Sequence, residues 1–262
     1  MRIFMTMIFY FFIFILGLCI GSFLNCVIYR LEEKKSLKGR SFCPHCKHTL
    51  IWKDLIPVLS YIILGGKCRY CEKKISLQYP VVELATGILF LLIFNLQMSL
   101  PEFTLPEFFN LIYLFYVASV LVIIFIYDFK HYLIPDKILF PAIIVSLFYQ
   151  FFFSEHFLNH ILAAIIASGF FFVIFLISKG KWMGFGDVKL AILMGLLLGV
   201  RPVLAALFVA FFLGSVISIF LMVLHKKGLK SEIPFGPFLI AGTFIALFWG
   251  SNIINWYLAL II

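Results

Sequence analysis

The chain is 262 residues long; 64% of its residues are hydrophobic, 13% are charged, and its formal net charge is +9. A soluble domain of this length cannot hide that much apolar surface, so the composition excludes a water-soluble globular protein and predicts an all-α polytopic membrane protein. The positive charge is mostly topological: it suits a face beside anionic lipid, makes the bilayer an expected partner, and calls for no nucleic acid.

Met1 to Val27 is one mostly apolar run without the small-residue cleavage site of a signal peptide, and is expected to stay as the first membrane helix. Spanning takes about 20 apolar residues at roughly 1.5 Å rise each. On that measure about eight transmembrane helices are predicted, near 3–28, 81–99, 107–127, 138–153, 158–178, 188–200, 202–224 and 236–258. The sixth is too short to be sure of crossing, and a tight turn at Arg201-Pro202 has to follow it.

Of the 21 Lys and Arg, 11 lie between residues 30 and 79. The positive-inside rule places this segment in the cytoplasm. Alternating the spans then puts Lys130, Lys137, Lys179, Lys181, Lys189, Lys226, Lys227 and Lys230 on the same side, with Arg2, Arg201, Glu102, Glu107 and Glu155 opposite. The expected organisation is a first helix (1–29), a small cytoplasmic insert (30–79) between the first and second membrane helices, and a membrane core (80–262), with both termini outside.

The insert holds two CxxC pairs, Cys43/Cys46 and Cys68/Cys71, separated by 21 residues. Each pair puts two thiolates on one tight turn, and two such knuckles supply the four sulfurs of a tetrahedral Zn²⁺ site. Paired disulfides are the competing reading, disfavoured in a reducing compartment. A redox site needs only one pair. Four thiolates leave no open position for water, so the zinc is expected to be structural, holding a loop too small for its own core. His45 and His48 read as surface residues, and Cys19 and Cys26 as small packing residues.

Four acids lie at or within apolar segments on the cytoplasmic half: Glu83, Asp128, Asp136 and Asp187. Asp128 ends the third span in "FIYDFKHYLIPD", and Asp187 precedes the sixth in "GFGD". An acid at the membrane edge is a functional candidate, and each of these two is the other's natural partner. Paired carboxylates share a proton: one serves as base toward water while the other, protonated, polarises a peptide carbonyl. Gly184 and Gly186 let a substrate backbone approach closely. The competing readings are structural: Asp187 as the cap of a helix starting at Val188, Asp128 paired with Lys130 or His131, and Asp136 as a helix cap. Glu83 is deep enough to need a partner, either a lysine of the insert or a polar cavity.

Together these motifs resemble the type IV prepilin peptidases, membrane aspartic proteases of the GxGD type. "GSFLNCVIYRL" (21–31), "CPHC", "CRYC", "ISLQYPVVELATG" (75–87), "YDFKHYLIPD" (127–136), "GFGD" (184–187) and "IPFGPFLIAG" (233–242) follow that family's order. The resemblance implies Asp128 and Asp187 as the catalytic pair and Cys43, Cys46, Cys68 and Cys71 as zinc ligands. It implies cleavage of short basic leaders from prepilin-like precursors, after a glycine, at the cytoplasmic face of a prokaryotic inner membrane. Many members carry a second acid two residues after the first aspartate, where this chain has Lys130, so that acid's role does not carry over. Gly184, Gly186 and Glu83 are the candidate substrate contacts, and Glu32, Glu33 and Glu72 join Glu83 as candidate guides for a basic leader. Bifunctional relatives methylate the new N-terminus from S-adenosylmethionine, and Gly66 and Lys67 resemble positions linked to that activity. Two other classes compete: a proton- or ion-coupled transporter, against which stand the missing internal repeat and the one-sided aspartates, and a non-catalytic scaffold whose zinc insert docks a partner.

Overall fold

The computed structural model describes residues 2–98, 104–224 and 233–259; Glu102, Lys226, Lys227, Lys230 and Glu232 lie outside the described residues. Among the described residues the regular structure is helical: α1 (Arg2–Glu32), a 3₁₀ turn (Trp52–Asp54), α2 (Leu59–Ile63), α3 (Gln78–Met98), α4 (Leu105–His131), α5 (Asp136–Phe153), α6 (Phe157–Ser178), α7 (Phe185–Leu198), α8 (Val200–Val223) and α9 (Gly236–Ala259). Every predicted span is a helix, and seven of these helices are long and apolar enough to cross a membrane. The chain is a multi-pass, all-α membrane protein.

The predicted sixth span, α7, has 14 residues. At 1.5 Å per residue it reaches about 21 Å, short of a hydrocarbon core of roughly 30 Å. Its surroundings fit that length. Ten of its residues, from Asp187 to Leu198, are buried, so α7 is sheathed by protein where the longer helices present apolar faces outward. The tight turn behind it falls at Gly199, whose φ of 77° ends α7, and Pro202 sits inside the first turn of α8. This displaces the expected turn at Arg201-Pro202 by two residues, because glycine adopts the positive φ without a Cβ clash and proline is tolerated in a first helical turn.

The chain divides into two compact units, Met1–Ile123 and Ile124–Ile262, with the boundary inside α4. In the first unit α1 packs along α3. A Cβ on Gly21 would come 2.7 Å from the Glu83 Cα, so only glycine lets the two helices approach this closely. Leu24 and Ile28 of α1, and Val82, Phe90 and Ile93 of α3, are buried, and Phe90 stacks on Phe115 of α4 at 4.0 Å. In the second unit α7 packs on α5 and α6, and α8 pairs with α9. Small residues line these seams, among them Ala163, Ala164 and Ala167 of α6 and Ala206 and Ala210 of α8, which is how helices gain dispersion contact where lipid offers no hydrophobic incentive.

Candidate active site and metal centre

Both aspartates of the predicted pair lie in the second unit and are buried. Asp128 stands one turn before the end of α4, where Tyr132, with φ 57°, donates its N–H to the Asp128 carbonyl at 2.9 Å. The Asp128 carboxylate accepts a hydrogen bond from the N–H of Gly236, the first residue of α9. Asp187 is the third residue of α7, and its carboxylate accepts the N–H of Gly184, the residue capping that helix. Each carboxylate is therefore held by an amide from a helix N-terminus, a group without an intrahelical partner and at the positive end of a helix dipole. Asp187 lies within electrostatic reach of Asp128, so the two acids do come together.

The surroundings correct several expectations. Asp187 is not a cap of a helix beginning at Val188; α7 begins at Phe185 with Gly184 as its cap, so Gly186 is already helical. A Cβ on Gly186 would lie 3.1 Å from the Cβ of Ile134, which makes this a close packing point. Asp136 is likewise not the cap of α5. Pro135 occupies that position, and Asp136, in the first turn, forms an ion pair with Lys189 of α7. This pair joins α5 to α7 two residues beyond Asp187, while the Lys189 ammonium also faces the rings of Phe140 and Phe185.

Gly236 is the residue sequence reasoning missed. A Cβ there would stand 2.5 Å from Asp128 Oδ2 and 3.1 Å from its Cγ. The Gly236-Pro237 pair is a legible helix start, but nothing local says that this helix end meets a carboxylate 108 positions earlier in the chain.

The four cysteines of the first unit form one cluster. Their sulfurs all lie within 4.8 Å of one another, and Cys43 and Cys71 are 3.9 Å apart. Zn–S bonds of about 2.3 Å in a tetrahedron place sulfurs roughly 3.8 Å apart, so the cluster has the dimensions of a metal site. The two knuckles repeat one construction. Cys43 N–H donates to His48 O and Lys47 N–H to Cys43 O, and Cys68 N–H donates to Lys73 O and Glu72 N–H to Cys68 O, all at 2.9 Å. Lys47 and Glu72 take the same positive φ, 59° and 55°. Burial raises the Cys43 thiol, but N–H groups of Cys46 and His45 outweigh it and bring it down to about 7. The tetrad can hold a metal ion and its chemistry is consistent with zinc. His45 and His48 are exposed, with His48 stacked on Tyr70; Cys19 is exposed too, against the packing role expected of it.

The remaining predicted residues are placed as follows. Gly66, with φ 69°, donates its N–H to Tyr61 O and accepts from Ile75 N–H, so it belongs to the turn entering the second knuckle, and Lys67 beside it is exposed. Glu83 is buried on α3, and its partner is no lysine: Oε2 accepts the Val58 N–H at 2.7 Å, and the Ser22 hydroxyl donates to the same carboxylate. Two further buried polar residues hold the insert. Asn25 donates to Tyr79 O at 3.0 Å, and the Arg30 guanidinium reaches the carbonyls of Ser36, Lys38, Gly39 and Arg40. Arg30 satisfies backbone oxygens that a short loop cannot pair internally, and Asn25 ties α1 to the first turn of α3.

Fold and sites together define a polytopic membrane protein with a buried carboxylate pair and a four-cysteine insert. Residues 15–96 match the model of the bacterial peptidase A24 N-terminal domain, and residues 115–219 match that of the type IV leader peptidase family. The chain is 32% identical over 255 residues to the prepilin leader peptidase/N-methyltransferase of Bacillus subtilis, covering 94% of this chain and 96% of that one. It is 32% identical over 252 residues to the protein of the same name from Vibrio cholerae (89% and 94%), and 30% over 275 residues to that of Legionella pneumophila (92% of each). No solved structure matches. The chain belongs to the type IV leader peptidase family.

Proposed function

We propose that this protein is a membrane-embedded aspartic endopeptidase that removes the short basic leader from type IV prepilin-like precursors at the cytoplasmic face of the inner membrane. The carrying observation is the meeting of Asp128 and Asp187, both buried and each held by a helix-terminal amide. In the reaction one carboxylate takes a proton from a water as its oxygen attacks the scissile carbonyl carbon. The other, protonated, hydrogen-bonds the carbonyl oxygen and gives up its proton as that oxygen gains charge. Collapse of the tetrahedral intermediate breaks the C–N bond. The first acid returns its proton to the leaving amine, and the second recovers its own. Gly184, where an added Cβ would meet only Asp187 Oδ2 at 3.8 Å and Gly186 N at 3.9 Å, leaves room for the peptide backbone beside Asp187, whereas the space at Gly186 is taken by Ile134. The zinc-held insert, residues 30–79, and the membrane core, 80–262, divide the labour: the insert organises the approach of the leader and the core cuts it.

The exposed acids Glu33 and Glu72, with Glu32, are the candidate contacts for a basic leader; Glu83, committed to Val58 and Ser22, acts on the substrate through the shape it gives the insert. The names of the relatives include N-methyltransferase activity, and we extend this to the present chain, with Gly66 and Lys67 as candidate contacts for S-adenosylmethionine. When bound, that cofactor supplies the methyl group for the new N-terminal amine.

The test is cleavage of a pilin-like precursor by the wild type, Asp128→Asn and Asp187→Asn, read by the gel shift of leader removal. Each variant is expected to insert normally and to lose at least about 10²–10⁴-fold in rate, the contribution of one positioned acid or base. Wild-type cleavage by either variant defeats the assignment.

A further inference from the structure

The insert contains a stretch that does not suit a domain standing free in water. Residues 55–64, "LIPVLSYIIL", carry no charge, and they include α2. Leu59, Ile62 and Ile63 expose 56%, 65% and 76% of their surface, and Trp52 and Leu55 just before them are exposed as well. Such an apolar face within a segment that otherwise carries most of the cations marks an interaction surface.

The position of this face identifies what covers it. Its midpoint, Val58, is tied by its N–H to Glu83. Glu83 is five residues into α3, about 7 Å beyond the start of that membrane helix at 1.5 Å per residue. The same carboxylate takes the hydroxyl of Ser22, eight residues and about 12 Å inward from Arg30 at the charged end of α1. Through this one carboxylate Val58 is tied about 7 Å inward from the start of α3 and about 12 Å inward from Arg30 on α1, a depth at which both helices are already apolar. Val81 and Leu84, which flank Glu83, and Phe23, which follows Ser22, are exposed on those helices as lipid-facing side chains are. The apolar face of 55–63 therefore continues a surface already facing lipid.

The chain conformation and the flanking charges agree. Val58 has φ 60° and ψ −50°, and Leu59 N–H donates to Pro57 O at 2.6 Å across it. This is a γ-turn that is strained for a β-branched residue, and it persists where the surroundings hold it in place. The bond to Glu83 is such a hold. Exposed Lys53 and Lys67 bracket the apolar stretch, and exposed Trp52 sits at its N-terminal margin, residue types that favour the headgroup level.

We infer that residues 55–63 form a monotopic wedge, with Leu59, Ile62 and Ile63 inserted at the headgroup–acyl boundary of the bilayer the chain spans, so that the zinc insert lies on the membrane instead of projecting from it. Interfacial elements of this kind bury their apolar face about 5–10 Å into that boundary, which matches the depth of Glu83.

The experiment places a photoreactive benzophenone amino acid singly in place of Leu59, Ile62 or Ile63 in the full-length, zinc-loaded protein. The protein is reconstituted in phosphatidylethanolamine–phosphatidylglycerol vesicles. The same probe at Val81 is the lipid-facing reference, and at exposed Lys47 the aqueous one. Zinc content reports that each insert is intact, and a carrier that loses zinc is replaced by its neighbour in the same set. Lipid-mass adducts at 59, 62 and 63, as at 81 and lost at 47, are the expected result. Reaction like that at 47, or reaction with an added precursor or a second copy of the chain in place of lipid, overturns the inference.

Discussion

Gly236→Ala tests the construction of the active site without touching either acid. The added Cβ would stand 2.5 Å from Asp128 Oδ2 and 3.1 Å from Cγ, closer than a methyl group and a carboxylate can coexist. Gly236 begins α9, and its N–H is the bond being disturbed. The yielding part is the Asp128 side chain, which has to rotate and give up that amide. A hydrogen bond to a charged group contributes about 1.5–3 kcal/mol, equivalent to roughly 10–150-fold in rate if it is lost only in the transition state. A displacement of about 1 Å costs on the order of 10²-fold by itself. Cleavage of a purified precursor under single-turnover conditions is expected to slow by about two orders of magnitude, with normal insertion and an unfolding midpoint near that of the wild type. Gly169→Ala on α6, where an added Cβ meets nothing within 4 Å, is the matched control and should cut at the wild-type rate. In an Asp128→Asn background the Gly236 substitution should cost little more, since both remove the same function. Wild-type turnover by Gly236→Ala would show that the carboxylate held by α9 is not the reacting one, and the mechanism above would fall.

Other consequences follow from the first unit. Glu83→Ala strands the Val58 N–H at membrane depth and should destabilise by about 1–3 kcal/mol, whereas Glu83→Gln keeps an acceptor and should recover most of it; equal unfolding midpoints for the two variants would refute the latch. The purified wild type should release one zinc per chain to a strong chelator, monitored colorimetrically. Cys43→Ser and Cys68→Ser should bind none, and their inserts should become sensitive to protease between residues 40 and 76, since metal binding supplies the folding energy of such modules. Zinc retained in both serine variants would refute the tetrad.

The parts legible in the sequence were those governed by local rules. Hydropathy over about 20 residues locates a membrane helix because the bilayer has a set thickness, and each of the predicted spans became a helix. The knuckles were legible because Cys43/Cys46 and Cys68/Cys71 need only one turn each to aim their sulfurs. Asp128 and Asp187 stood out because a carboxylate at a membrane edge is costly without a role. Partners were not legible where they come from afar. Glu83 invited a lysine by charge alone and took the amide of Val58. Asp136 resembled a cap and paired with Lys189.

The sequence by itself determined the class of the protein, its helices, its cysteine tetrad and its two aspartates, since these depend on composition, period and spacing over a few turns. Tertiary structure alone decided that α7 is sheathed while longer helices face outward, that the end of α9 holds Asp128, and that an uncharged stretch of the insert sits at the depth of Glu83. Those outcomes depend on which helices pack together. Inside a membrane that choice rests on close approach of small residues and on satisfying each buried polar group, conditions that join residues with no fixed separation in the chain.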